Sequence, residues 1–408
     1  MNLKEKYKQQ LDEIDAQHDE LVKTLIDWAN INSGSYNIDG VNTYRQVVQD
    51  AFAQLTDSTD KVEVISLPTY EVVDNDGNIV QQSVANALII RKRPELKKRV
   101  LLCAHLDTVF PIKHHFQTCQ FLDDNTLNGP GVADIKGGIL VMLTALKALE
   151  SHQVSQAIGW DVLLVPDEEI SSLGSNHLYP QFADNAFGMI YEPSLPDGEF
   201  VGQRKGSGNF TIVVKGRASH AGRAFYEGRN AIAKLANIVA EMHNLNDPSK
   251  STTLNIGTIS GGQALNVVPE LAIAKFNIRV ESDTDADTIL SKVDNIIDKY
   301  REDDYDIFRH GQISRPAKPM DDEQKKLFAI LKQINDELGL PTKVIATGGC
   351  CDGNNFKALG LPNIDTLGVR GGLIHSDKEF ILLDSLCERA KLSALILLAF
   401  ADGSIQFD

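Results

Sequence analysis

The sequence predicts an α/β fold in which a mostly parallel sheet, with helices on both faces, is interrupted by an inserted α+β domain. Short apolar runs alternate with helical patterns from about residue 85 to 200, which is typical of parallel sheets covered by helices. Between about residues 206 and 316 the predicted order becomes β-α-β-β-α-β, the split ferredoxin-like pattern. Beyond Pro316 the α/β alternation resumes. The chain therefore leaves one domain, forms a second and returns to the first.

The first part of the α/β domain contains four predicted strands and one long helix. The strands are short apolar runs at 85–91, 100–103, 160–165 and 187–191. The helix spans 135–150, because apolar side chains recur along one face at Ile139, Met142, Leu143, Leu146 and Leu149. The N-terminal residues 1–32 are charged and amphipathic, with apolar side chains at roughly helical spacing.

Apolar runs for strands and apolar residues at helical spacing also define the inserted domain and the chain that returns to the first domain. The insert carries predicted strands at 210–214, 252–259, 271–280 and 305–313, and helices at 230–245 and 285–300. The returning chain carries helices at 322–338 and 383–400, and strands near 343–346 and 364–368. We therefore divide the chain into an α/β domain, residues 1–205 and 317–408, and an inserted domain, residues 206–316.

Composition and charge exclude several classes of protein. The formal net charge is −16 and no basic block occurs, which argues against a nucleic-acid partner. No apolar run approaches the ~18 residues that a membrane-spanning helix needs, and no signal-peptide core precedes the amphipathic N-terminus. The five cysteines are odd in number and have no disulfide-framework spacing, so we expect reduced thiols and a cytoplasmic protein. A strained disulfide between the adjacent Cys350 and Cys351 is the alternative.

Residues of the metal-binding types follow the predicted strands or lie in loops beside them. His105 and Asp107 follow the strand at 100–103, and Glu168 and Glu169 follow the strand at 160–165. Because the carboxyl ends of parallel strands share one edge of a sheet, that edge could gather these side chains. Three further positions have the same placement: Asp134 in a glycine-rich loop before the long helix, Glu192 after the strand at 187–191, and His375 after two glycines.

Two histidines and three carboxylates suit a pair of divalent ions, most often zinc. One carboxylate can bridge two ions about 3.5–4 Å apart, and another carboxylate must stay off the metals to accept a proton. Glu168 and Glu169 offer both functions, because neighbouring side chains diverge. Taken alone, each acidic residue is more often a cap or a solvated turn residue, and each histidine a structural residue. Their convergence at one sheet edge would make a dinuclear metal site.

Six short motifs occur in order along the chain. They are His105-Leu106-Asp107-Thr108-Val109, the stretch 129–138 around Asp134, Asp167-Glu168-Glu169, Glu192-Pro193, Ser219-His220-Ala221-Gly222 and His375-Ser376-Asp377. Together they resemble the dizinc metallopeptidase superfamily of glutamate carboxypeptidases, aminoacylases, acetylornithine deacetylases and succinyl-diaminopimelate desuccinylases. The resemblance runs from about residue 75 to the C-terminus and is closest to the glutamate carboxypeptidase branch.

The resemblance implies a zinc-peptidase type of α/β domain with two Zn²⁺ ions per subunit, for which Co²⁺ or Mn²⁺ could substitute. It implies that Asp107 orients a metal ligand, that Glu168 is the general base and then the acid, and that the Asp134–Ile135 peptide bond is cis. The implied ligands are His105 and Glu192 for one ion, Glu169 and His375 for the other, and Asp134 as the bridge.

The inserted domain is implied to be a lid that also forms a homodimer. His220 would reach an active site, expected to be that of the partner subunit, and hold the oxyanion of the reaction. Asn266 and Arg279 match positions that contact substrate, and an arginine can hold a carboxylate through two hydrogen bonds. The alternative is that His220 and Arg279 are ordinary polar residues of an exposed loop and strand.

The resemblance thus implies a metal-dependent amide hydrolase. The closest match is a metallocarboxypeptidase or dipeptidase that removes a C-terminal amino acid, such as glutamate, from a small peptide or N-acyl conjugate. The alternative is an N-acyl amino-acid deacylase of the acetylornithine deacetylase or desuccinylase type. A non-catalytic ligand-binding paralogue is a remote alternative, because the sequence retains Glu168 and every implied ligand. One departure is Gly348-Gly349-Cys350-Cys351-Asp352, where the family usually has Ser or Thr before the aspartate, and it leaves substrate choice open.

Overall fold

A computed structural model describes residues 2–407 and contains a six-stranded main sheet. Four neighbouring strands of this sheet are parallel, and the two at one end pair antiparallel. This arrangement confirms the predicted α/β core with a mostly parallel sheet. In spatial order the strands are Lys61–Ile65, Ala87–Lys92, Gly159–Val165, Arg99–His105, Gly188–Ile190 and Asn363–Ile364.

Helices and short helical segments cover both faces of the main sheet. Alternate strand residues point to opposite faces, so Leu102 and Leu164 join one buried cluster and Leu101 and Leu163 another. The larger cluster is built around the helices Gly137–Glu150 and Asp384–Ala401, which are buried along most of their length. The α-helices of this domain are Leu3–Lys6, Lys8–Asp15, His18–Ala29, Ile38–Phe52, Gly137–Glu150, Asp322–Leu338, Asp352–Ala358 and Asp384–Ala401.

The inserted domain is a four-stranded antiparallel sheet with two helices on one face, Ala231–His243 and Asp283–Lys299. Its element order is β-α-β-β-α-β, as predicted. The domain limits themselves, 206 and 316, stay a prediction. In spatial order its strands are Thr253–Gly261, Leu271–Val280, Gly206–Lys215 and Asp306–Arg315.

The chain crosses between the two domains twice, and the two crossings are hydrogen-bonded to each other. The backbone N–H of Arg204 donates to the Lys318 carbonyl at 2.9 Å, and that of Lys318 donates to the Arg204 carbonyl at 3.0 Å. The buried Asp365 carboxylate accepts from both side chains, at 2.8 Å from Arg204 and 2.6 Å from Lys318. Asn354 adds hydrogen bonds to the backbone carbonyls beside both crossings. The crossings are therefore fixed relative to each other.

Several elements differ from the predictions. The strand predicted at 343–346 is Val344–Thr347, but it pairs with Phe200–Arg204 outside the main sheet. The helix Asp352–Ala358 has no counterpart among the predicted elements, and its Gly353, Asn354 and Asn355 have low helix propensity. None of the helices within residues 2–407 has the length and apolar character to cross a membrane.

The remaining strands are short and lie in small sheets. Two antiparallel pairs are formed by Tyr70–Val73 with Ile79–Gln82 and by Ser219–His220 with Val267–Val268. A four-stranded sheet beside the candidate site contains Gly371–Gly372, Phe380–Leu382, Thr126–Asn128 and Gln120–Phe121 in that order.

Candidate dinuclear metal centre

The predicted metal ligands lie at the carboxyl edge of the main sheet. His105 is the last residue of Arg99–His105, and Glu169 lies in the turn that follows Gly159–Val165. Glu192 comes two residues after Gly188–Ile190. These three strands are adjacent and parallel, so their ends meet at one place. Asp134 and His375 reach the same place from loops.

The five side chains form two groups that share Asp134. His105, Asp134 and Glu192 make one group, and Asp134, Glu169 and His375 the other; within each group the ligand atoms lie within 4.8 Å of one another. One Asp134 oxygen lies 3.1 Å from His105 Nε2, and its other oxygen lies 3.3 Å from His375 Nε2. His375 Nε2 is also 3.2 Å from Glu169 Oε2. The Asp134–Ile135 peptide bond is cis, as the resemblance implied.

The electrostatics of the cluster fit divalent cations. Burial raises the pKa of Glu169 to about 8 and also raises the pKa of Glu192, because no nearby group of the protein fully compensates these carboxylates. Hydrogen bonds with Asp134 and Glu169 raise the pKa of His375 to about 11. The Glu169 Oε1 atom is buried and has no hydrogen-bond partner in the described part of the chain, residues 2–407. Metal ions would stabilise the charged carboxylates, so the donor set fits the implied pair of ions.

Asp107 connects the His105 strand to the turn that carries Glu168 and Glu169. Its carboxylate accepts hydrogen bonds from the backbone N–H groups of Glu168 at 3.1 Å and Glu169 at 3.2 Å, and from the Ser35 hydroxyl at 2.7 Å. His105 Nδ1 lies 2.9 Å from the backbone carbonyl of Asp107 and 3.4 Å from its carboxylate. The carbonyl is therefore the closer partner of His105, and the carboxylate mainly holds the turn.

Glu168 belongs to neither ligand group and pairs with an arginine that the sequence did not indicate. Arg315 Nη2 donates to the Glu168 carboxylate at 2.9 Å. Burial raises the pKa of Glu168, and the charge of Arg315 opposes this rise. Arg315 itself is buried and also contacts Asp352 at 2.9 Å and the Ser172 hydroxyl at 2.7 Å. Nothing in its sequence context, between a predicted strand that ends at 313 and Pro316, marked it as part of the site.

His220 and Asn266 lie together in the inserted domain, but they are exposed and belong to neither ligand group. The Ser219–His220 strand pairs with Val267–Val268, and the Ala221 N–H donates to the Asn266 carbonyl. His220 Nδ1 accepts a hydrogen bond of 3.1 Å from the Gly222 N–H. The single chain thus brings these two predicted residues to each other and not to the metal ligands.

Arg279 contacts the loop 348–352, where the sequence differs from the pattern of the family that it resembles. Its Nη1 lies 3.1 Å from the Cys350 sulfur, and its Nε donates to Asn277 at 2.9 Å. The five cysteines are free, so the adjacent Cys350 and Cys351 form no disulfide. The buried Cys351 precedes helix Asp352–Ala358, whose N-terminal Asp352 contacts Arg315. The loop therefore connects Arg279 to the surroundings of Glu168.

Comparison with known proteins supports these observations. Residues 202–304 match a family model described as a peptidase dimerisation domain, and residues 87–190 match one described as peptidase family M28. The chain is 29% identical over 314 residues to carboxypeptidase G2 of Pseudomonas sp. (strain RS-16), covering 75% of each protein. It is 29% identical over 293 residues to a succinyl-diaminopimelate desuccinylase of Psychrobacter arcticus, covering 67% of this chain and 70% of that protein.

A solved structure shows the same fold over nearly the whole chain. The M20 family metallo-carboxypeptidase from Sulfolobus solfataricus superposes with a TM-score of 0.69 at 17% sequence identity, covering 94% of this chain and 99% of that one. At this identity the likeness concerns the fold alone. Together with the family matches, the sequence relatives and the two ligand groups, it leads to one conclusion. The matches relate the chain to the M20 superfamily of dinuclear metallopeptidases, and the chain is a metal-dependent hydrolase of peptide or amide bonds.

Proposed function

We propose that the protein binds two zinc ions, one held by His105 and Glu192 and the other by Glu169 and His375, with Asp134 between them. The observation that carries this assignment is that Asp134 presents one oxygen to each histidine, at 3.1 and 3.3 Å. Nitrogen and carboxylate donors of this kind suit zinc, and Co²⁺ or Mn²⁺ would serve as substitutes.

Glu168 is the proposed general base and acid. When bound, the metal ions would polarise the scissile carbonyl and activate a water. Glu168 would accept a proton from that water at its carboxylate and later give it to the leaving amine. The Asp107 carboxylate accepts a hydrogen bond from the Glu168 backbone N–H at 3.1 Å and so positions the backbone of the proposed base. Arg315 donates to the Glu168 carboxylate and so positions the end of its side chain.

The inserted domain is proposed to act as a lid and as the contact surface of a homodimer. The family description of residues 202–304 as a dimerisation domain supports this assembly. His220 and Asn266 are exposed and close to each other, which suits side chains that enter the active site of a partner subunit. There His220 would stabilise the oxyanion of the tetrahedral intermediate. The cytoplasmic location stays a prediction.

The substrate is proposed to be a small peptide or N-acyl conjugate that carries a free α-carboxylate, so that the enzyme acts as a carboxypeptidase or dipeptidase. Arg279 is the proposed carboxylate-binding residue, because its guanidinium reaches the loop before helix Asp352–Ala358 and is only partly buried. Carboxypeptidase G2 among the relatives supports this substrate class, and glutamate is the side chain to test first.

A deacylase is the second candidate, and the desuccinylase relative favours it. The two candidates differ in which part of the substrate can be changed without loss of activity. A carboxypeptidase would tolerate changes in the acyl part and choose the released amino acid, whereas a desuccinylase would require the succinyl group.

The deciding experiment uses zinc-loaded protein and a matched substrate panel. N-benzoyl-glutamate, a dipeptide ending in glutamate, the same dipeptide as its C-terminal amide, and N-succinyl and N-acetyl amino acids would be compared by kcat/KM. The proposal predicts hydrolysis of the free acids and little of the amide, and R279M should weaken only the free acids. Cleavage restricted to N-succinyl substrates would favour the second candidate, and equal cleavage of acid and amide would contradict the role of Arg279.

A further inference from the structure

We propose that Glu379 is a positioning residue for the metal bridge: it holds the loop that carries Asp134 and ties it to the loop that carries His375. The inference rests on the proposed dinuclear centre. Glu379 is outside the two ligand groups, and it acts through the backbone of a ligand rather than on a metal or substrate.

The side chain of Glu379 binds the backbone at Asp134 itself. Its Oε1 accepts hydrogen bonds from the N–H groups of Ala133 at 2.9 Å and Asp134 at 3.0 Å. The backbone leaves helical geometry here, with φ −116° and ψ 83° at Asp134. Buried amides at such an irregular place need an acceptor from elsewhere in the chain. Glu379 supplies one oxygen for both.

The backbone of Glu379 belongs to the segment that carries His375. Its N–H donates to the Ser376 carbonyl at 3.1 Å, and its carbonyl accepts from the Asn128 side chain at 2.7 Å and the Gly129 N–H at 3.3 Å. The strand Phe380–Leu382 follows immediately and pairs with Thr126–Asn128. One residue therefore connects the two loops that bring Asp134 and His375 into the same ligand group.

Packing alone does not explain a carboxyl group at this position. Glu379 is 1% exposed, and its Oε2 has no hydrogen-bond partner within residues 2–407. A buried carboxyl group with an unsatisfied oxygen costs free energy that an apolar side chain would not. The two hydrogen bonds at Oε1 offset this cost. The requirement is thus for an acceptor at the Oε1 position, which glutamine also has, aspartate places one carbon short, and leucine lacks.

These three substitutions give a direct test on metal-free protein titrated with Co²⁺, whose visible absorption reports coordination. We expect E379L and E379D to weaken binding of at least one Co²⁺ by about 10–100-fold, and E379Q to stay within about threefold of the wild type. Wild-type affinity in E379L would overturn the proposal. So would a loss in E379Q as large as that in E379L, because charge rather than acceptor geometry would then matter.

A partly buried glutamate at the far end of the helix Gly137–Glu150 provides a matched control. Glu150 pairs with Arg93 and accepts from the Trp160 ring N–H at 2.8 Å, and it lies roughly 20 Å from the helix start at 1.5 Å per residue. E150L, matched to E379L, should lower stability without changing Co²⁺ affinity. An equal loss of Co²⁺ affinity in E150L and E379L would overturn the assignment by showing that removal of a carboxylate far from the centre has the same effect.

Hydrogen exchange keeps the inference testable where a variant folds poorly. In wild-type and E379Q protein without metal, the amides of Ala133 and Asp134 should exchange slowly, and in E379D about tenfold or more faster, because a protecting acceptor is lost. Equal exchange in all three would contradict the proposal. Both readouts are independent of substrate, so a protein inert toward every peptide would count against the proposed function and not against the role of Glu379.

Discussion

Arg315 donates a hydrogen bond of 2.9 Å to the Glu168 carboxylate and another of 3.2 Å to the Glu168 backbone carbonyl. Arg315 is the last residue of a strand in the inserted sheet, whereas Glu168 lies in the turn after a strand of the main sheet. The pair is therefore a physical connection between the inserted domain and the proposed base. A rotation of the inserted domain must carry this connection along or break it.

The substitution E168Q removes the proposed proton acceptor while keeping the side-chain shape. We expect kcat to fall by about 10²–10⁴-fold, which is the usual contribution of general acid–base catalysis. Metal content should stay at that of the wild type, because Glu168 belongs to neither ligand group. Steady-state kinetics and elemental analysis check both statements. Turnover at the wild-type rate would exclude Glu168 as the base.

The substitution R315K keeps a positive charge but cannot reproduce the several hydrogen bonds of the guanidinium. We expect kcat to fall roughly 10–100-fold, since a hydrogen bond to a charged group contributes about 1.5–3 kcal/mol. KM and metal content should change little, because Arg315 acts through Glu168. The control is R309K, because Arg309 lies on the same strand but pairs with Asp294 of the helix Asp283–Lys299. A fall in kcat equal in both variants would mean that the effect is not specific to the Glu168 pair.

The substitution C350A removes the sulfur that lies 3.1 Å from Arg279. Loss of one hydrogen bond to the guanidinium corresponds to about 0.5–1.5 kcal/mol, so KM for a free-acid substrate should rise about 2- to 10-fold. The kcat value should change less. C387A is the comparison, because Cys387 contacts the Ile14 carbonyl far along the chain from this loop. A KM unchanged in C350A would separate Cys350 from the positioning of Arg279.

Acid should weaken the attachment of the N-terminal segment to the last helix. Burial alone would raise the pKa of Asp402, but hydrogen bonds from Lys6, Ser404 and Tyr7 lower it to about 2, from 3.8. A carboxylate with a depressed pKa stabilises the fold above its unfolded pKa, and this stability is lost as the pH falls from about 4 to 2. At pH 7, D402N should lose about 1 kcal/mol, a value reduced because the Lys6 side chain is 52% exposed. Urea unfolding of both proteins should give curves that converge with decreasing pH; a constant difference would contradict this assignment.

Most of what the sequence could predict came from the periodicity of apolar residues and from the placement of polar residues at strand ends. The strand ending in His105 and the helix after Asp134 were recognisable because each has a strong apolar pattern. The motifs around these residues then implied the ligand set, and the structure brings those five side chains together. Pairing partners were harder, since residues 344–347 have the same strand pattern whether they join the main sheet or pair with Phe200–Arg204.

The residues that hold the ligands in place could not be predicted from local patterns. Arg315 is 147 positions from Glu168, and Glu379 is 245 positions from Asp134. The neighbouring residues in the sequence do not indicate either contact, because each contact forms only when two distant segments pack together. Ser35, which donates to Asp107 across 72 positions, is a third example. Ligands carry a chemical signature in sequence, whereas their supports are ordinary polar residues.

The hydrogen-bonded crossings at Arg204 and Lys318 make the inserted domain a removable module. Because the two backbones lie side by side there, a short flexible peptide joining residue 204 to residue 318 would restore a continuous α/β chain. All five proposed ligands would remain in that shortened chain, while His220, Asn266, Arg279 and Arg315 would leave with the excised part. The proposed metal ligands and the proposed base Glu168 thus lie in the two outer stretches of the chain, whereas the residues proposed to contact substrate lie in the excised stretch, which could be exchanged between relatives without rerouting the rest.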